Sequence, residues 1–149
     1  MRRTTGAVAS AALAAGAVFA AAPPAEAASA VQFGRIYYDS PGSDTRTNTS
    51  RNAEYVVIRN TASTSRCLTG WTVRDAAGHV YKFGSYCLGG GKSVYLHTGH
   101  GTNTAAHRYW NSGNYIWNNT GDKAYLRNSA GTQMDYCAWG SSGPGYLSC

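Results

Sequence analysis

The sequence has few acids, few prolines, and no long apolar run beyond its first two dozen residues. Asp and Glu together number 7 in 149 residues, against 13 Lys and Arg. Those after residue 27 are Asp39, Asp44, Glu54, Asp75, Asp122 and Asp135, no two of them closer than five positions. A calcium loop crowds its oxygen ligands into about 12 residues, so none is written here. Asp39 and Asp44, around Pro41-Gly42, read as a solvated loop, with a contribution to a cation site as the alternative. No glycine-x-serine-x-glycine elbow occurs, and Gly140-Ser141-Ser142-Gly143 has the wrong spacing for one. The cysteines form no close pair of the zinc-ribbon kind. Heptads are missing, as are internal repeats of about 20–50 residues.

What is present begins with Arg2 and Arg3, then an alanine-rich apolar run from Ala7 to Ala22. Pro23 and Pro24 break it, and Ala25-Glu26-Ala27 and Ala28-Ser29-Ala30 follow as small-residue cleavage patterns. That is the layout of a secretory signal peptide, expected over residues 1–27 with cleavage as late as residue 30. The run is shorter than the roughly 20 residues of a membrane span, and no second one follows. Residues 28–149 are then one domain, in the usual range of about 100–150 residues.

An even number of cysteines in an exported chain implies disulfides, here two among Cys67, Cys87, Cys137 and Cys149. Four cysteines permit three pairings. The shortest loops come from Cys67 with Cys87 and Cys137 with Cys149, each worth about 3 kcal/mol in the chain-entropy account. Four bridged sulfurs leave no thiolate nucleophile.

Short alternating segments rich in β-branched and aromatic residues, separated by turn residues, predict an all-β fold. Strands are expected at residues 33–39, 54–60, 71–75, 80–83, 92–98, 124–127 and 133–137. Val56 and Ile58 share one face of their strand, Tyr55 and Val57 the other. The stretch from Ser40 to Arg51 is expected as a polar loop, Gly89-Gly90-Gly91 as a flexible turn, and residues 99–117 as mostly loop.

Three ordered segments carry a resemblance: Asn52-Ala53-Glu54-Tyr55-Val56-Val57-Ile58-Arg59-Asn60, Leu68-Thr69-Gly70-Trp71-Thr72-Val73-Arg74-Asp75-Ala76-Ala77-Gly78, and Trp117-Asn118-Asn119-Thr120-Gly121-Asp122-Lys123-Ala124-Tyr125-Leu126 followed by Gly131. Together they resemble the lamin tail domain. The resemblance implies an immunoglobulin-like β-sandwich and a non-catalytic binding or surface module. The coiled-coil rod of animal lamins is missing, and nothing follows Cys149, so the end is not a prenylation box. Filament and nuclear-envelope roles therefore do not transfer. The expected core is Trp71, Val73, Val56 and Ile58, with Trp71 packed near a disulfide.

Charge is the most suggestive surface feature. Without Arg2, Arg3 and Glu26 the chain holds 11 basic and 6 acidic residues. Arg108, Tyr109, Trp110, Tyr115 and Trp117 are the densest basic and aromatic cluster, and so the candidate ligand contacts; such groups grip phosphate and stack on bases or sugars. The bases make no block of adjacent charges in the sequence. The expectation is a secreted, monomeric contact module without cofactor, whose partner is an anionic envelope polymer, a nucleic acid or a protein. The alternative is a small hydrolase or metal-binding protein using His97, His100 and His107, with Asp75 or Asp122 completing the site.

Overall fold

The computed structural model describes residues 28–149, so the expected signal peptide lies outside the described residues. In chain order the elements are β1 (Val31–Tyr37), α1 (Asn48–Ala53), β2 (Tyr55–Asn60), β3 (Arg66–Cys67), β4 (Thr72–Arg74), β5 (Val80–Lys82), β6 (Cys87–Leu88), β7 (Ser93–His97), β8 (His107–Tyr109), β9 (Asp122–Arg127), β10 (Gln133–Trp139) and β11 (Tyr146–Ser148). A five-stranded sheet runs β11-β1-β2-β7-β8, a four-stranded sheet β10-β9-β4-β5, and β3 pairs with β6 alone. All pairings are antiparallel except β7 with β8.

Alternation builds the core. Val56 and Ile58 point inward from β2, opposite Ile36 and Phe33 of β1 and Leu96 and Val94 of β7. From the other sheet Val73, Ala124, Leu126 and Cys137 meet them in one buried cluster. Full burial of each large aliphatic side chain contributes about 1.5–3 kcal/mol, so the two inner faces hold the sandwich together. This is the expected immunoglobulin-like β-sandwich.

Both disulfides close local loops. Cys67–Cys87 joins the register partners of β3 and β6, and Cys137–Cys149 fastens the last residue to β10. The second bridge places β11, whose Tyr146 pairs with Tyr37 of β1.

The structure corrects several local expectations. Residues 48–53 are a helix rather than loop, entered through Thr47, whose hydroxyl accepts the Ser50 amide. The helix has no buried residue, so no apolar stripe announces it. The stretch 99–117 contains β8, a three-residue parallel edge strand too short for a visible period. Beyond the glycine- and serine-rich run 140–145, where no strand was expected, Tyr146–Ser148 form β11. Gly90 is less a flexible link than a packing site, because a Cβ there would collide with the Ser63 carbonyl.

The core tryptophan is also different. Trp71 is only half-buried, at the end of the β4 ladder where the sandwich opens, whereas Trp117 is 3% exposed. Trp117 lies edge-on to both Trp110 and Trp139, at 5.9 and 5.7 Å between ring centroids. Val73, Val56 and Ile58 are fully enclosed.

Candidate functional site

The outer face of the four-stranded sheet gathers basic residues from distant parts of the chain. On β9, buried Asp122, Ala124 and Leu126 alternate with outward Lys123, Tyr125 and Arg127. On β4, Thr72 and Arg74 flank buried Val73, and on β5 Val80 and Lys82 flank Tyr81. Register then sets the pattern. Thr72 lies between Arg127 and Lys82, and Arg74 lies between Tyr125 and Val80. With strands about 4.8 Å apart, Arg74, Lys82, Lys123 and Arg127 occupy one small area.

No carboxylate shares that face. Asp122 turns inward, its Oδ1 accepting the amides of Ala76 and Lys123 and its Oδ2 that of Asn118. Asp75 is fully buried; its Oδ1 accepts the Gly78 and His79 amides, and its Oδ2 lies 2.6 Å from Nδ1 of His79. Asp135 accepts the Phe33 and Tyr136 amides. Among the described residues, His79 with Asp75 is the only contact that can form an ion pair, and it does so only with the imidazole protonated. The four cations therefore stand without local neutralisation, on a surface that also offers Tyr125 and Tyr136, their rings 5.3 Å apart. Such an uncompensated field favours an anionic partner.

The expected ligand cluster is divided by the fold. Alternation on β8 turns Arg108 away from His107 and Tyr109, and its guanidinium lies 4.1 Å over the Tyr86 ring. Trp117 is core, and Trp110 is half-buried against it, so only part of Trp110 is open to contact. The Tyr115 hydroxyl lies 2.6 Å from that of Ser50. Glu54 explains this division. Buried on the approach to β2, its Oε1 accepts the Thr98 hydroxyl and the amides of Ile116 and Trp117. It thereby pulls the end of the long loop inward. Burial pushes the Glu54 carboxyl up to about 7, more than these three donors lower it.

Tyr109 instead joins a row of rings across the outer face of the five-stranded sheet. Tyr146, Tyr37, Tyr55, His97 and Tyr109 are successive register partners, with neighbouring centroids 4.8–5.5 Å apart. Tyr146 stacks on Tyr37 and His97 on Tyr109, Tyr55 is tilted against both of its neighbours, and Arg35 sits over Tyr146 and Tyr37. The signal for this row was the alternation of rings in Tyr95-Leu96-His97 and His107-Arg108-Tyr109, visible only once those segments are known to be strands.

Of the three histidines, two meet. His97 donates Nδ1–H to the Asn52 carbonyl at 2.8 Å, so its Nε2 is the acceptor for Nδ1 of His107 at 3.0 Å. Burial is the main cause that holds the His97 imidazole below its ordinary value. His100 does not join them; its backbone is bound by Asn48 and Asn52. Among the described residues no three His, Cys, Asp or Glu side chains come together, and Asp75 and Asp122 are spent on turns.

The sequence profile described as Lamin Tail Domain matches residues 24–141. The chain belongs to that family. Lamin tail domains are non-catalytic immunoglobulin-like binding modules, in keeping with the sandwich. Comparison with curated proteins gives no match. In this lamin tail domain no described helix is long and apolar enough to cross a membrane. Its two disulfides are those expected of an oxidising compartment.

Proposed function

We propose that this lamin tail domain is an exported contact module that holds an anionic polymer on the outer face of its four-stranded sheet. The observation that carries the reading is the meeting of Arg74, Lys82, Lys123 and Arg127 on three adjacent strands with no carboxylate among them. Export is supported by Arg2 and Arg3, the alanine-rich run and the small-residue cleavage patterns, together with the oxidised cysteines. Phosphate or sulfate groups spaced along a polymer engage such a face by exchange of counterions, with little demand for shape.

Binding of single-stranded DNA, heparin and a poly(glycerol phosphate) across a salt series tests this. Four neutralised phosphates give a slope near −3 in log affinity against log salt for a single strand, at about −0.7 per contact. The variant with all four changed to Gln is expected to lose binding, while Arg35→Gln with Arg59→Gln, on the opposite sheet, keeps it. No binding of any polyanion at low salt ends the reading.

A further inference from the structure

A cavity of about 460 Å³ opens at the end of the sandwich, where Trp71 is left half-buried. Its wall includes Val31, Ser65, Arg66, Cys67, Trp71 and Met134. The volume is in the range of small-molecule sites, roughly 300–1,000 Å³, which are lined mostly by apolar and aromatic groups with a few polar ones. The lining combines an indole, a thioether, two small aliphatic side chains and a bridged cysteine with two serines and one arginine.

We propose that this cavity is a binding site for a small amphipathic acid, its apolar or aromatic body against Trp71 and Met134 and its carboxylate against Arg66. Three features argue for it. Trp71 and Met134 leave apolar surface open to water, and a ligand body would cover it. The Cys67–Cys87 bridge and the β3–β6 pairing fix the wall that carries Arg66, so the site exists before any ligand arrives. Arg66 makes no ion pair among the described residues, and the lining holds no carboxylate, so the charge the cavity selects is negative. Asp135, beside Met134 in the chain, keeps its charge, but its oxygens are held by the Phe33 and Tyr136 amides and not by Arg66.

The site is independent of the polymer-binding face. Arg66 and Trp71 are not among the four cations of the outer sheet, so either site can fail while the other stands.

The probes are indole-3-acetate and its neutral counterpart, indole-3-acetamide, titrated into the oxidised, secreted protein and followed by calorimetry and by the tryptophan indole N–H signals. The acid is expected to bind saturably at one site and to shift the Trp71 signal. Arg66→Gln should weaken the acid by about tenfold, leave the amide within a factor of about two, and leave single-stranded DNA binding unchanged. Ser65→Tyr, which fills the cavity from an exposed strand flank, should remove both probes without lowering the melting temperature appreciably. Equal affinity for acid and amide, no saturation, or shifts confined to the Arg74 and Lys123 face overturns the proposal.

Discussion

The Thr98 hydroxyl lies 2.6 Å from Oε1 of Glu54, and both residues are buried. This single carboxylate oxygen also takes the amides of Ile116 and Trp117, so one side chain joins β2, the end of β7 and the long loop. Its carboxyl is raised by burial from 4.5 to about 7. A raised acid binds its proton more tightly in the folded state, so its contribution is full below about 4.5 and is lost as pH rises through about 7. The total is about 3 kcal/mol. His97, held low by burial, works in the opposite sense, because its folded state favours the neutral ring. The difference between wild type and Glu54→Gln isolates the carboxyl. Gln keeps an oxygen for the three donors, and its stability relative to wild type should rise between about pH 5 and pH 7.5. Denaturant titrations at the two pH values measure it; parallel behaviour of both proteins would show that Glu54 stays ionised throughout.

Trp117 and Trp71 should differ sharply on truncation. Trp117→Ala removes a nearly enclosed indole that meets two others edge-on, and is expected to cost about 3–5 kcal/mol. Trp71→Ala removes a half-exposed wall and should cost less than half as much. Thermal unfolding of the two variants compares them directly, and the reverse order would contradict this packing.

Cys137–Cys149 is the covalent tie on β11, an edge strand whose partner is β1. Replacing both cysteines by Ser should destabilise the fold by about 3 kcal/mol and raise amide exchange in Tyr146–Ser148 and at the facing β1 edge. Exchange spread evenly over both sheets would mean that the bridge does more than hold the end.

Gly90→Ala should be among the most damaging small substitutions in the chain. Its Cβ would meet the Ser63 carbonyl and the Thr64 nitrogen, backbone atoms that cannot swing aside. Gly91→Ala is strained for another reason, a φ of +67° with open space around it, and costs about 1 kcal/mol. Melting temperatures of the two variants should separate a collision from a backbone preference, with Gly90→Ala much the lower.

Much of this molecule follows from the chain alone. The alternation of Tyr55-Val56-Val57-Ile58 places one pair inward whatever the topology, because side chains of an extended strand point to opposite faces in turn. The two cysteine loops are short enough to favour local pairing on chain entropy. The three ordered segments that resemble lamin tail domains are read directly from the residues. Other features depend on register and depth, which no local pattern encodes. Lys82 and Arg127 are 45 positions apart in the sequence, yet both are partners of Thr72. Whether an indole is core or wall depends on how far the ladder extends beyond it, which is why Trp117 and Trp71 exchanged the roles expected of them. Composition supplied the positive charge, and only the stacking of β9, β4 and β5 gave that charge a face.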